Sequence, residues 1–329
     1  MSGAFVPRRD PDAPLRIGTR SSELALRQAR AVQRTLADRG LVSELVTYTT
    51  IGDRRLDQPL ASIGAKGLFT AELEDDLRAG HVDCCVHSLK DLPTEGPPGV
   101  EVVAVLERED PRDALVLGPG VHAEGVPDLP RGAVVGTSSL RRRALLLALR
   151  PDLRVVELRG NVPTRLRKVD EGQVQAAVLA AAGLRRLGVG DRIAAYLDAP
   201  HWLPAAGQGA IAIQVRAEAG AVRDLFAALD HAPTMRAVRA ERSMLSALGG
   251  GCQVPIAALA VNGAAGATLH GLVLDLAGAR LVRGSESIGA HDDPEEAGRR
   301  LAATLVRHGA GEILTALQGA TGLVAPQPE

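Results

Sequence analysis

Ile17-Gly18-Thr19-Arg20-Ser21-Ser22 and Val135-Gly136-Thr137-Ser138-Ser139 are two versions of one short phrase, and their reading decides the fold. In the first, Leu15 to Gly18 forms a short strand. Ser22 then suits a helix N-cap, with Leu24, Ala25, Leu26, Ala29, Val32 and Leu36 at helical spacing and Gly40 as the stop. In the second, Ala133 to Gly136 is the strand, and Thr137-Ser138-Ser139 opens a helix reaching about Leu149. A strand giving way to a helix presents free backbone N–H groups and the positive end of the helix dipole. Two such junctions facing a cleft make an anion site at the carboxyl ends of the strands.

Other elements extend both halves. Leu45 to Thr50 reads as a strand, 52–67 as a charged, glycine-containing mobile loop, Phe69 to Arg78 as a helix closed by Gly80, and Asp83 to His87 as a buried strand. A second lobe starts near Pro111. It continues with strands at Arg154 to Leu158 and Val174 to Ala180 around a helix from Val162 to Val169. The alternation predicts parallel sheets covered by helices. Ala210 to Val215 is a strand returning to the first lobe. A helix over Thr234 to Leu248 runs into Gly249-Gly250-Gly251. Strands at Val254 to Val261, Thr268 to Leu274 and Arg280 to Ile288, with a final helix over about Pro294 to Gln318, form a separate α+β module. The tail from Thr321 reads as disordered.

At 329 residues the chain is long for one core, and its 46% hydrophobic content supports two or three domains. Aromatics are only 2%, so the cores are aliphatic and base stacking on single-stranded nucleic acid is disfavoured. Thirty-eight basic residues against 39 acidic ones leave −1, with no global field towards DNA or an acidic membrane. Three cysteines, at 84, 85 and 252, are no disulfide framework, and no His/Cys spacing points to a metal. The polar, Pro-rich Met1–Pro14 lacks a signal-peptide core, and no apolar run spans a bilayer; the expected compartment is the cytoplasm.

Three features carry chemistry. Cys252 follows three glycines, which leave the backbone open for a thiol to reach a neighbouring domain. The alternative is an ordinary turn cysteine, whereas Cys84 and Cys85 read as core. The end of a helix does not favour a thiolate, which suits a covalent anchor better than a cycling nucleophile. Arg20, Arg141, Arg142, Arg159, Arg165 and Arg186 lie at or beyond strand ends, with Lys66 and Lys90 in comparable loops. Guanidinium forks match carboxylates; solvated helix faces are the bland reading, and Arg143, Arg150 and Arg185 belong there. Arg141 and Arg142 oppose the dipole of their helix's first turn, a cost a bound anion would offset. Asp91, between Lys90 and Leu92-Pro93, is a proton donor or partner of a cationic intermediate, or simply a loop cap. His87 reads as a strand-end histidine, and Gly207-Gln208-Gly209 lacks phosphate-loop spacing.

His87-Ser88-Leu89-Lys90-Asp91-Leu92-Pro93 resembles the His-Ser-x-Lys-Asp-x-Pro signature of the porphobilinogen deaminase family. Gly136-Thr137-Ser138-Ser139-Leu140-Arg141-Arg142, Arg159-Gly160-Asn161-Val162, Leu203 to Ala210 and Gly250-Gly251-Cys252-Gln253-Val254-Pro255-Ile256 match further segments, in order, over Leu15 to about Leu317. The resemblance implies an α/β fold. Two periplasmic-binding-protein-like (type II) lobes have mixed, mainly parallel sheets, and a small C-terminal α+β domain follows. The implied boundaries are 1–108 plus 209–228, 109–208, and 229–329.

It further implies a transferase of tetrapyrrole (haem) biosynthesis. Four porphobilinogen molecules are condensed head to tail, ammonia leaves at each addition, and hydroxymethylbilane is released. A dipyrromethane cofactor on Cys252 by a thioether is the primer. Implied cofactor contacts are Ser88, Lys90, Thr137, Ser139, Arg141, Arg142 and Gln208. Implied substrate contacts are Arg20, Ser22, Lys66, Phe69, Arg159, Arg165 and Arg186. Asp91 would be catalytic, 52–67 a lid, no metal is expected, and the protein would be a monomer binding neither nucleic acid nor membrane. Ser62, Ile51 and Pro163 depart from the family pattern; the first two thin the positive charge near the lid. Two other readings are a non-catalytic anion receptor on the same fold and, from Arg141-Arg142-Arg143, a nucleic-acid-binding regulator.

Overall fold

Alternating apolar strands and amphipathic helices fold into two α/β layers and a third, antiparallel one. The computed structural model describes residues 13–50, 70–250, 254–263 and 266–321. The expectations for Ile51, Ser62, Lys66, Phe69, Cys252, the 52–67 loop and the tail beyond 321 therefore lie outside the described residues.

In chain order, β1 (Leu15–Arg20), α1 (Glu23–Ala37), β2 (Ser43–Tyr48), α2 (Ala71–Ala79), β3 (Cys84–Ser88) and β4 (Val100–Val105) come first. Next are β5 (Asp113–Leu117), β6 (Val134–Gly136), α3 (Leu140–Leu149), β7 (Arg154–Val156), α4 (Val162–Asp170), β8 (Ala176–Ala180), α5 (Ala181–Arg186) and β9 (Ala195–Leu197). Then follow β10 (Ile211–Arg216), α6 (Ala221–Ala227), α7 (Ala232–Ala247), β11 (Ile256–Gly263), β12 (Gly266–Leu274), β13 (Leu281–Gly289), α8 (Pro294–Leu305) and α9 (Gly311–Thr321).

The first sheet has the order β2-β1-β3-β10-β4 and the second β7-β6-β8-β5-β9. In each, four of the five strands run in the same direction and the fourth in order, β10 or β5, is antiparallel to both neighbours. β1 and β6 thus hold equivalent places, as their shared phrase implies. The sheets are mixed rather than purely parallel, because β10 and β5 enter from the opposite lobe's side of a crossover and must run back. β4, β5, β9, α5 and α6 are additions to the sequence reading. β9 is only three residues long, and Ala180 and Ala181 give no break between β8 and α5.

Cys84 and Cys85 point to opposite faces of β3, as period-two geometry requires. Cys84 joins Leu15, Ile17, Val32, Leu36 and Phe226, while Cys85 joins Leu73, Leu77 and Val82. Both are buried free thiols whose pKa burial pushes well above the ordinary value. The third sheet, β11-β12-β13, is antiparallel and covered by α7 and α8. The expected single last helix is broken at Val306–Ala310, where Gly309 adopts φ 103° and helical hydrogen bonding cannot continue regularly.

Two crossovers join the lobes, one after β4 and one before β10, and they touch. Glu109 N donates to Gly209 O at 3.1 Å, and a Cβ on Gly209, at φ 88°, would lie 2.3 Å from Glu109 O. Only glycine fits there. Glu241 of α7, fully buried, binds both segments: its carboxylate accepts from Arg108 Nη1 (2.6 Å) and Nη2 (3.0 Å) and from Gly207 N (2.7 Å).

His87 on β3 is 6% exposed, and burial pulls its pKa to about 4, against a hydrogen bond from the Gln214 side. The native state therefore resists a proton that the unfolded chain accepts below 6.5. The stability this contributes is present above pH 6.5 and is lost as pH falls through 4, by up to ~3 kcal/mol. Urea midpoints at pH 7 and pH 4.5 should differ less in His87→Gln than in the wild type; equal differences would remove His87 from the acid response.

Candidate active site

Most anion-binding candidates among the described residues sit beyond the carboxyl end of a parallel strand, β1, β3, β6 or β7, or early in the helix that follows it; Arg186 ends α5, and Gln208 lies on the crossover before β10. Arg20 ends β1. Ser22 caps α1 by accepting from Ala25 N (3.4 Å). Ser139 caps α3 by accepting from Arg142 N (3.4 Å), and Thr137 Oγ1 accepts from Ser139 N (3.2 Å). Asn161 caps α4 through Thr164 N (2.9 Å), and Pro163 stands within the first turn, where a missing N–H costs nothing. The lobes meet here: a Cβ on Gly183 of α5 would touch Leu24 of α1 at 3.6 Å.

One cavity gathers residues from both lobes, among them Gln28, Ser88, Lys90, Arg142, Arg165 and Arg186. Gln28 Nε2 donates to Ser88 Oγ (2.8 Å). Lys90 Nζ donates to Gln208 Oε1 (3.3 Å), and burial, partly opposed by Asp91, draws its pKa down to about 8. Burial and then the like charge of Arg142 pull Arg165 to about 10, with Asp91 opposing. Arg186, lowered by burial, donates to Gly209 O (2.7 Å). Arg159 carries a buried Nη1 with no hydrogen-bond partner among the described residues. Arg165, depressed by burial and by Arg142, and Arg159, with its open donor, leave capacity for a bound anion. Asp91, exposed on the 3₁₀ turn Leu89–Asp91, is near enough for its charge to reach both Lys90 and Arg165.

Arg141 and Arg142 correct the expectation that a bound anion offsets their cost. They are 4% and 5% exposed, and their anion is Asp113, fully buried at the start of β5. Asp113 Oδ2 lies 2.8 Å from Arg141 Nη1 and accepts from Trp202 Nε1 (2.7 Å). Oδ1 accepts from Arg142 Nη2 (2.7 Å) and Gln208 Nε2 (2.8 Å). Burial alone would raise the Asp113 carboxyl, but the two guanidiniums hold it well below the usual carboxylate range. Arg141 is spent on Asp113 and on Leu203 O (2.7 Å), whereas Arg142 also lines the cavity. Two arginines against one aspartate still leave positive charge.

Sequence reasoning missed Asp113, Trp202, Arg108, Glu241 and Arg242. The signal for Asp113 was available: a carboxylate heading the apolar run Ala114-Leu115-Val116-Leu117 must be buried with partners. Arg143, Arg150 and Arg185, read as surface residues, bind Val155 O, Asp152 and Glu109 respectively. Among the described residues no group of three His, Cys, Asp or Glu is arranged to hold a metal, and no helix is long and apolar enough to cross a membrane.

A polycarboxylate such as dipyrromethane, with an acetate and a propionate on each ring, fits this donor set. The open Arg159 Nη1 donor and the buried Arg165, with Lys90 and Arg186 lining the same cavity as Arg165, suit an anion. Fold and site together define a two-lobed α/β protein with a cation-lined cleft at its strand ends.

Residues 15–224 match the family model "Porphobilinogen deaminase, dipyromethane cofactor binding domain", and 235–307 match the C-terminal domain of the same family. The chain is 49% identical over 308 residues to a porphobilinogen deaminase of Acidithiobacillus ferrooxidans, covering 93% of this chain and 99% of that one. It is 50% identical over 310 residues to one of Moorella thermoacetica, covering 94% and 98%. A solved periplasmic substrate-binding protein from Coxiella burnetii is similar at TM-score 0.41 and 15% identity, over 67% of this chain and 94% of that one. The chain belongs to the porphobilinogen deaminase family, a family of transferases.

Proposed function

We propose that this chain condenses four porphobilinogen molecules head to tail into hydroxymethylbilane, releasing one ammonia per addition, with Cys252 carrying the dipyrromethane primer. The supporting observation is one cavity in which Ser88, Lys90, Arg142, Arg165 and Arg186 converge beside Asp91. We divide the chain into 1–108 plus 209–228, 109–208 and 229–329; the place of β10 in the first sheet supports the split. Cytoplasmic location and a monomeric state belong to the same proposal.

When bound, the dipyrromethane supplies a pyrrole with an open α-carbon as acceptor. The protein's own groups do the rest. Arg20, Ser22, Arg159, Arg165, Arg186, Lys66 and Phe69 bind and orient substrate. Ser88, Lys90, Thr137, Ser139, Arg142 and Gln208 hold the primer's carboxylates, with Arg141 fixing the helix end beneath them. As the amine of porphobilinogen leaves, positive charge gathers on its pyrrole N–H. The Asp91 carboxylate accepts that hydrogen bond and stabilises the charge, then takes the proton displaced from the carbon that has been attacked.

The intact mass of purified protein should exceed that of the bare chain by two pyrrole units, and Cys252→Ser should lose the excess and the ammonia release. Unmodified, fully active wild-type protein would overturn the assignment. A second check uses Lys90. Its cation is lost above about pH 8, so kcat/KM for porphobilinogen should fall there. Lys90→Arg should move that limb upwards, since guanidinium stays charged; an unmoved limb would free Lys90 from anion binding.

A further inference from the structure

The turn that presents Asp91 is held from the third layer. Leu89–Asp91 is a single 3₁₀ turn closed by one backbone bond, Leu92 N to Leu89 O (3.1 Å). Pro93 follows, then Pro97 and Pro98, so the segment has few amides for a ladder of its own. Its carbonyls point to α7. Arg242 Nη1 donates to Leu89 O (3.4 Å) and Leu92 O (3.1 Å), and Nη2 donates to Pro93 O (2.5 Å) and Thr94 O (3.3 Å). One helical turn earlier, Val238 packs with Leu89 and Leu92 in a shared core, on the same face of α7. The turn is thus seated on α7 by an apolar contact and by one guanidinium that spans both of its ends. α7 ends at Ala247, five positions before Cys252.

We propose that Arg242 is a positioning residue for Asp91, fixing the turn relative to the helix that leads to Cys252. This rests on the catalytic role proposed for Asp91. A planar fork reaches four carbonyls at once, which an ammonium on a flexible stem does not. Because a misplacement of about 1 Å can cost a hundredfold in rate, loss of the fork should act on kcat.

The test uses full-length, primer-loaded Arg242→Met, Arg242→Lys and, as control, Arg239→Met, whose native side chain pairs with Glu295 instead. For Arg242→Met we expect wild-type loading by intact mass, kcat lower by about ten- to hundredfold with KM within threefold of wild type, and faster hydrogen exchange at the Leu92 amide. Methylguanidinium should restore part of kcat. Arg242→Lys should fall between, and Arg239→Met should match wild type. Unchanged exchange at Leu92 and unchanged kcat in both Arg242 variants would overturn the proposal. So would a loss explained wholly by reduced loading. Should Arg242→Met fail to fold, Arg242→Lys with wild-type exchange and turnover overturns it alone. Asp91→Asn tests the underlying role separately: full turnover there with fast exchange in Arg242→Met would remove Asp91 as catalyst and leave Arg242 as a holder of the turn.

Discussion

Asp91→Asn should retain fold, stability and primer while condensation falls by about 10²- to 10⁴-fold. The fold is indifferent because Asp91 is exposed and, among the described residues, its carboxylate enters none of the turn's hydrogen bonds. Asparagine keeps the shape and loses the charge. It cannot stabilise an iminium-like pyrrole nitrogen, nor take up the proton displaced on carbon–carbon bond formation. KM should change little, because the carboxylates of the substrate are held by other groups. Lys90 would feel the change: Asp91 opposes the burial that lowers its pKa, so the alkaline limb of kcat/KM should move lower still in the variant. Single-turnover ammonia release measured on protein of confirmed intact mass separates the outcomes. Turnover within threefold of wild type would leave Asp91 a loop residue.

Much of this architecture can be read from the chain itself. The paired Gly-Thr/Ser phrases mark β1–α1 and β6–α3 because a strand end and a serine cap are both local signals. The clustering of Lys90, Arg165 and Arg186 is legible only as residue types at strand ends; that they share one cavity depends on how the lobes meet. Asp113 is different in kind. Its role requires α3, β5 and the return crossover carrying Trp202 and Gln208 to converge, and residues at 113, 141, 202 and 208 share no local pattern. Likewise Glu241 and Arg242 look like ordinary polar positions on an amphipathic helix until that helix is packed against both crossovers and the Asp91 turn. The final helix misled for the opposite reason: the apolar spacing continues through Gly309, while the backbone at that glycine does not.

Replacing Asp113 by alanine should destabilise the protein by about 3–5 kcal/mol, since it strands two buried guanidiniums without their counter-charge. Trp202 Nε1 and the Gln208 amide would lose an acceptor as well. Urea unfolding should show a lower midpoint with an unchanged slope. The trio carries one net positive charge in the wild type and two in Asp113→Ala, so removing one arginine should relieve the strain that removing the aspartate creates. Asp113→Ala/Arg141→Met is therefore expected to be more stable than Asp113→Ala alone, a coupling that a double-mutant cycle measures directly. Arg141 is the right partner to remove, because Arg142 is the member that also faces the cavity. If the aspartate merely fills space, the double variant will be the less stable of the two. If it is the counter-ion that lets a doubly basic helix start sit at the floor of an anion cleft, the second substitution repairs the fold, and with Arg142 retained much of the anion affinity survives.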